Sequence, residues 1–280
     1  MPAPLLVAPA PFKGTLRAPQ VAAALGRGLE AGGWEVDLCP IADGGAGTLE
    51  VLLPALAGET GAVSVGGREV GIGLIEGGGT AVVELCSVVG GGSGAAGAAG
   101  SSSAAGELIL AAAETGAEVI LVGAGDVRFG DGGAGAVAAI AAAGGIAAKL
   151  DVLCDVRTAG AGRAWGGSGG GIAGALARDC GAQLEPGAAF VLEQLGVEQR
   201  MLAARAVIVG EGLLDLSTLS GKAPGELATR ARQSGVPCFA VVGARTLEPF
   251  GGRILDLQAV LEAGDLDALE QAGRELARLA

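Results

Sequence analysis

The feature that most narrows the possible folds is an alternation. Short apolar runs of strand character take turns with longer runs of helical period. "LLVAP" (Leu5–Pro9) reads as a strand, and "PQVAAALGRGLEAGG" as a helix stopped at Gly32-Gly33. "EVDLCP" (Glu35–Pro40) reads as the next strand and "TLEVLLPAL" (Thr48–Leu56) as the next helix. Parallel strands need a crossover connection, and a helix supplies it, so this order implies a parallel α/β sheet. The alternation lapses once. Ala62–Leu85 reads as short antiparallel strands with Gly turns, and Gly90–Gly106 is of low complexity and expected to form a loop. It then resumes to the end of the chain. A second Gly-rich loop is expected at Arg157–Gly174. The expected class is α/β with two domains. Residues 1–60 and 203–280 form a discontinuous Rossmann-like parallel-sheet domain, and residues 61–202 a mixed α/β domain inserted into it.

Composition limits the core and the chemistry. Gly accounts for 54 of 280 residues and aromatics for 2%, so the core must be built from Ala, Val, Leu and Ile. The net charge is −12, and no Lys/Arg stripe is visible, which argues against nucleic acid or an anionic membrane as partner. No apolar run reaches the ~20 residues of a membrane span. The start, "MPAPLLVAPAPFKG", lacks a basic n-region and does not read as a signal peptide, so the cytoplasm is the expected location. Five scattered Cys without CxxC spacing suggest reduced thiols. His is absent, which removes Ser-His-Asp and Cys-His catalysis.

In open α/β sheets ligands bind beyond the carboxyl ends of the strands. The residues that follow the expected strands are "APFKGT", "IADGGAGT", "DVRFGDGGAG", "EGLLD" and Arg245. Charge concentrates there amid Gly. Of the 18 basic residues only Lys13, Lys149 and Lys222 are Lys. Lys13 and Lys222 lie beside Gly, where a compact charge can approach a phosphate, whereas Lys149 reads as an incidental surface residue. "DGGAG" occurs twice, at Asp43–Gly47 and Asp131–Gly135, in unlike surroundings that exclude a recent repeat. Each Asp has two readings: a cap or turn, or a base or Mg²⁺ ligand beside amides that face a phosphate. Glu211, Asp215 and Lys222 in "GEGLLDLSTLSGK" form the most specific cluster. Carboxylates, hydroxyls and Lys together suit Mg-dependent phosphoryl transfer. There is neither a P-loop nor a G-x-G-x-x-G in the first strand–helix turn.

Several blocks resemble, in order, the glycerate kinase type-1 family: "APFKGTLRAPQVAAALGRGL", "PIADGGAGTLEVL", "GELILAAAETGAEVILVG…DGGAG", "CDV", "PGAAFVLEQLG" and "VIVGEGLLDLSTLSGKAPGELA". The resemblance implies phosphorylation of D-glycerate by Mg-ATP to 2- or 3-phosphoglycerate. It also implies two α/β domains with the active cleft between them, ATP as co-substrate and Mg²⁺ as cofactor. By resemblance Lys13, Asp43 and Asp215 are the catalytic positions. Gly44, Gly45, Thr48, Asp131, Gly132, Gly133, Glu211 and Lys222 would bind substrate or phosphate. Asp43 or Asp215 would be the base and the other would hold Mg²⁺, with the two copies of "DGGAG" forming separate walls of the cleft.

The chain also departs from the family pattern. Ala10 and Pro11 stand for Asp-Ser, and Ala46 for the Glu of D-G-G-E-G-T. "GDVRFGD" stands for the G-G-S-A-T-N-D of G-G-S-A-T-N-D-G-G, Ser217 for Gln, and Ala104 for Gly. The chain is shorter than typical members, chiefly after "CDV". Two readings follow: a kinase acting on glycerate or a similar hydroxy acid, or an impaired relative that binds a nucleotide or hydroxy acid without turnover.

Overall fold

The computed structural model describes residues 3–89 and 98–279. In chain order the elements are β1 (Leu5–Pro9), α1 (Ala18–Ala31), β2 (Val36–Leu38), α2 (Thr48–Ala55), β3 (Glu59–Val65), β4 (Arg68–Ile75), β5 (Thr80–Glu84), β6 (Ala98–Ala99), α3 (Ser103–Ala113), β7 (Val119–Gly123), β8 (Arg128–Phe129), α4 (Ala134–Ala142) and β9 (Lys149–Cys154). They continue with α5 (Ile172–Asp179), β10 (Gln183–Pro186), α6 (Gly187–Gln194), α7 (Val197–Ala203), β11 (Ala206–Leu214), α8 (Ala223–Ser234), β12 (Cys238–Arg245), α9 (Pro249–Ile254), β13 (Leu257–Glu262) and α10 (Leu266–Leu276). Of the expected Gly90–Gly106 loop, residues 90–97 lie outside the described residues, and Ser103–Gly106 already belong to α3. The second Gly-rich loop ends in a short 3-10 turn, Ser168–Gly171, that runs into α5.

The chain divides into two units. The first, Met1–Ala42 with Leu192–Ala280, carries a five-stranded sheet in the order β13-β12-β11-β1-β2. All its pairings are parallel. Every residue of β1 is buried, as a near-continuous apolar run in the middle of a parallel sheet requires. One face is covered by α1 and α10, whose Leu25, Leu29, Leu269 and Leu276 join Leu5, Val7 and Val241 in one core cluster. These helices approach so closely that a Cβ on Gly28 would lie 2.0 Å from the Glu270 carbonyl oxygen, and one on Gly273 2.5 Å from that of Leu25. Part of the large glycine content is thus spent on helix contact in a core poor in aromatics.

The second unit, Asp43–Val191, holds a six-stranded mixed sheet in the order β10-β9-β7-β5-β4-β3. β3, β4 and β5 pair antiparallel, and β5, β7, β9 and β10 pair parallel. Leu108 and Ile109 of α3, Ile140 of α4 and Leu176 of α5 enter one core cluster with the sheet. Leu53 of α2 packs with Ile75, Val82, Leu121 and Leu153 in another. That packing ties α2 to the second unit, so the division falls at Ala42/Asp43 rather than after residue 60. At the other end it falls at Val191/Leu192 rather than after residue 202, because Arg200 of α7 forms a bidentate pair with Asp37 and donates to the Leu38 carbonyl.

The cysteines are unpaired, as the spacing suggested. Burial pushes Cys39 up to about 11 and Cys86, Cys154 and Cys238 up to about 12, so these are inert thiols rather than nucleophiles.

Candidate active site

In the first unit the chain leaves β1 for β2 in one direction and β11 for β12 in the other. The strand order therefore reverses between β1 and β11, which is the point in an open α/β sheet where a crevice opens. Lys13 follows β1 there, and Glu211 and Asp215 come from the carboxyl end of β11. The two segments touch. The Ala10 N–H donates to the Gly210 carbonyl at 2.8 Å, and a Cβ on Gly212 would lie 3.2 Å from the Lys13 backbone nitrogen. Glu211 is buried and accepts from the Thr218 hydroxyl at 2.8 Å.

Asp215 caps the 3-10 turn Leu216–Ser220. Its Oδ1 accepts from the Ser217 N–H at 2.7 Å and from the Ser217 hydroxyl. Ser217 stands where the family pattern has Gln, and it fixes the Asp215 rotamer. The turn is pinned in its turn by α8: a Cβ on Gly225 would meet the Thr218 carbonyl oxygen at 1.9 Å. Lys222 is the N-cap residue of α8. Lys149, by contrast, sits on the surface in an ion pair with Asp151 at 2.9 Å.

In the second unit the loop Asp43–Gly47 lies across the carboxyl ends of the parallel strands, backbone against backbone. The Gly125 N–H donates to the Gly44 carbonyl at 3.0 Å. A Cβ on Gly123 would come within 2.6 Å of the Gly44 carbonyl oxygen, and one on Gly187 within 2.2 Å of that of Asp43. Gly44 has φ +92, and its own Cβ would lie 2.8 Å from the Leu153 carbonyl oxygen. Gly44 thus answers both a left-handed backbone and a contact too close for any side chain. Asp43 ends up 6% exposed.

Carboxylates of the chain already occupy donors of this loop. Glu84 accepts from the Leu49 N–H at 2.8 Å, at the N-terminus of α2. Burial raises its pKa, and hydrogen bonds from the backbone of Leu49, Gly47 and Thr48 oppose that rise. The Ala46 N–H goes to Asp126 at 2.9 Å, and the Thr48 hydroxyl to the Gly45 carbonyl at 2.7 Å. Glu84 thus caps the first turn of α2, and the Thr48 hydroxyl helps to shape the loop.

Asp131 is similarly engaged. It accepts from the N–H groups of Ser102 (2.8 Å), Gly133 (3.1 Å) and Gly135 (3.0 Å) and from the Ser102 hydroxyl (3.1 Å). It thereby caps α3 and α4 together, and beside it Gly132 is exposed and Gly133 forms the left-handed entry to α4. Burial pushes its carboxyl up, but these hydrogen bonds outweigh that and hold it below the ordinary value. Loss of one cap costs about 0.5–2 kcal/mol. Asp131→Ala removes two and is expected to lower stability by about 1–3 kcal/mol, read from urea midpoints. A depressed folded pKa stabilises above the unfolded value, about 3.9. That contribution is lost as pH falls through the folded pKa, so the gap between wild type and variant should close in acid.

Three carboxylates at these strand ends are not among the sequence-derived candidates: Glu84, the last residue of β5, Asp126 after β7 and Asp155 after β9. Asp155 is 8% exposed, accepts from the Ser168 hydroxyl at 2.8 Å and has its Cβ 2.9 Å from where one on Gly125 would be. The strand-end rule that picks out Lys13 and Asp215 covers all three.

Comparison with known proteins agrees with this architecture. The sequence model described as the glycerate kinase family matches residues 5–149 and 146–262. A glycerate kinase of Halalkalibacterium halodurans is 27% identical, with 98% of this chain and 97% of that protein aligned. That alignment spans 372 positions, so the relative carries segments this 280-residue chain lacks. Glycerate 2-kinase of Escherichia coli K12 is 27% identical over 86% of this chain and 85% of its own length. The crystal structure titled putative glycerate kinase 2, from Salmonella typhimurium LT2, superimposes with a TM-score of 0.74 at 25% identity, covering 100% of this chain and 98% of that one. With a matching family model over most of its length and a shared two-sheet α/β fold, the chain belongs to the glycerate kinase family.

Proposed function

We propose that the chain transfers the terminal phosphoryl group of Mg-ATP to a hydroxyl of D-glycerate or a similar small hydroxy acid. The observation that carries this reading is the convergence of Lys13, Glu211 and Asp215 on the point where the strand order of the parallel sheet reverses. Family membership supports it, since the relatives are named for that substrate.

Asp215 suits Mg²⁺. Ser217 orients its Oδ1 through its N–H and its hydroxyl. Mg²⁺ is commonly held by one or two carboxylates together with phosphate oxygens and water, so it needs no all-protein cage. When bound, the cation would neutralise charge on the phosphates. Asp43, buried on its glycine bed, is the better base. It takes the proton of the acceptor hydroxyl as that oxygen attacks phosphorus, at a position with little access to bulk water. Lys13 and Lys222 balance phosphate or carboxylate charge. Lys222 does so at the positive end of α8, and its side chain makes no hydrogen bond or ion pair among the described residues.

Incubation of the purified chain with ATP, Mg²⁺ and D-glycerate should produce ADP and a phosphoglycerate well above the blank, and ³¹P NMR would separate the 2- from the 3-phosphate. Folded protein that turns over no member of a small hydroxy-acid panel would overturn the reading. The replaced motif positions, Ala46 and Ser217 among them, favour as second reading a relative that binds without turnover. Stabilisation by nucleotide or hydroxy acid with no ADP formed would select it.

A further inference from the structure

Asp126 has φ +60, a left-handed backbone that a non-glycine residue adopts only at a cost. Its side chain turns onto the Asp43–Gly47 loop. Its Oδ2 accepts the Ala46 N–H at 2.9 Å and lies 2.2 Å from the point a Cβ on Gly45 would occupy. Asp43 Oδ1 lies 3.4 Å from that same point. The two carboxylates therefore flank Gly45, and any side chain at position 45 would drive into Asp126.

Two departures from the family pattern meet at this contact. Position 46 has lost the acidic residue of D-G-G-E-G-T and is Ala46. Position 126 aligns with the second Gly of G-G-S-A-T-N-D-G-G, which a left-handed backbone favours, and is Asp. One carboxylate has gone from the loop, and another reaches the same residue from the neighbouring strand end.

We propose that Asp126 is a positioning residue for this reaction, replacing from β7 the carboxylate missing at position 46 and holding Asp43 in register through the loop. The bond to the Ala46 N–H fixes the loop beside Asp43, and the strained backbone is kept because only that conformation delivers the side chain there. The inference rests on the phosphotransferase reading for its effect on rate, but not for its effect on the loop.

Asp126→Gly separates positioning from a plain structural role. Glycine relieves the backbone, so the melting temperature should hold or rise. Activity should nevertheless fall on the order of ten-fold or more in kcat, because the loop loses its tether. Amide exchange at Ala46 should accelerate in the same variant, a readout independent of turnover. Adding Ala46→Glu to Asp126→Gly should restore most of kcat and slow exchange in the loop again. Asp126→Gly with wild-type kcat, or a double variant no better than the single, overturns the proposal. If the wild type itself proves inactive, the exchange data decide alone: unchanged protection at Ala46 in Asp126→Gly overturns it, and lost protection regained in the double variant supports it.

Discussion

Asp215→Asn is expected to lower kcat by about 10³-fold or more and to leave the fold in place. The geometry separates the two effects. Oδ1 is engaged as the cap of the Leu216–Ser220 turn, accepting from the Ser217 N–H and hydroxyl. An amide oxygen can do the same, and Asn is as good a cap as Asp, so stability should move by no more than a few tenths of a kcal/mol. What Asn cannot supply is the negative charge at Oδ2. As a ligand the residue would then hold Mg²⁺ only weakly, and as a base it could take no proton. Steady-state kinetics over a Mg²⁺ titration distinguish the two roles. Partial recovery at high Mg²⁺ marks a ligand, and a Mg²⁺-independent loss marks the base. Asp215→Ala should add a loss of about 1 kcal/mol for the missing cap. A fully active Asp215→Asn would remove this residue from the chemistry.

The parts of the structure legible in the sequence are those that depend on neighbours along the chain. β1 covers the same five residues, Leu5–Pro9, that the apolar run marks. The positions of Lys13, Glu211 and Asp215 at strand ends are legible because the end of a strand is a local signal. The parts that were hidden depend on distant partners. Asp126 and Asp131 both follow β7, and the sequence favours Asp131 because it opens a DGG string. Yet Asp131 is spent on helix caps, one of them on α3, whose first residue is Ser103. Asp126, without a motif, reaches a loop 80 residues earlier in the chain. The boundary between the units was hidden for a similar reason, since α2 follows β2 in sequence but packs against β4 and β5, which come after it. Glycine content was ambiguous as well. Composition supplies many Gly-rich strings, and only the contacts show that Gly44, Gly123 and Gly187 allow one backbone to rest on another.

The last of these glycines gives the second large effect. Gly187 opens α6, and its φ is not left-handed, so backbone conformation alone permits Ala. Helix propensity would favour the change by up to about 1 kcal/mol. The new Cβ, however, would sit 2.2 Å from the Asp43 carbonyl oxygen and 2.8 Å from its carbon. Those are backbone atoms and cannot swing aside as a side-chain tip would. The steric term should therefore win, with Gly187→Ala losing about 1–3 kcal/mol, read as a lower urea midpoint. The atoms that must shift belong to Asp43 itself. A displacement near 1 Å at the reacting groups can cost on the order of 10²-fold, so kcat should fall by about that much under conditions where the variant is fully folded. Gly71→Ala is the control. It lies in the same unit with nothing within 4 Å of its Cβ position, and it should change stability by less than about 0.5 kcal/mol and leave kcat alone. If Gly187→Ala lost stability but kept its kcat, the exact position of Asp43 would not matter to the reaction, and the base would have to be sought at Asp215 instead.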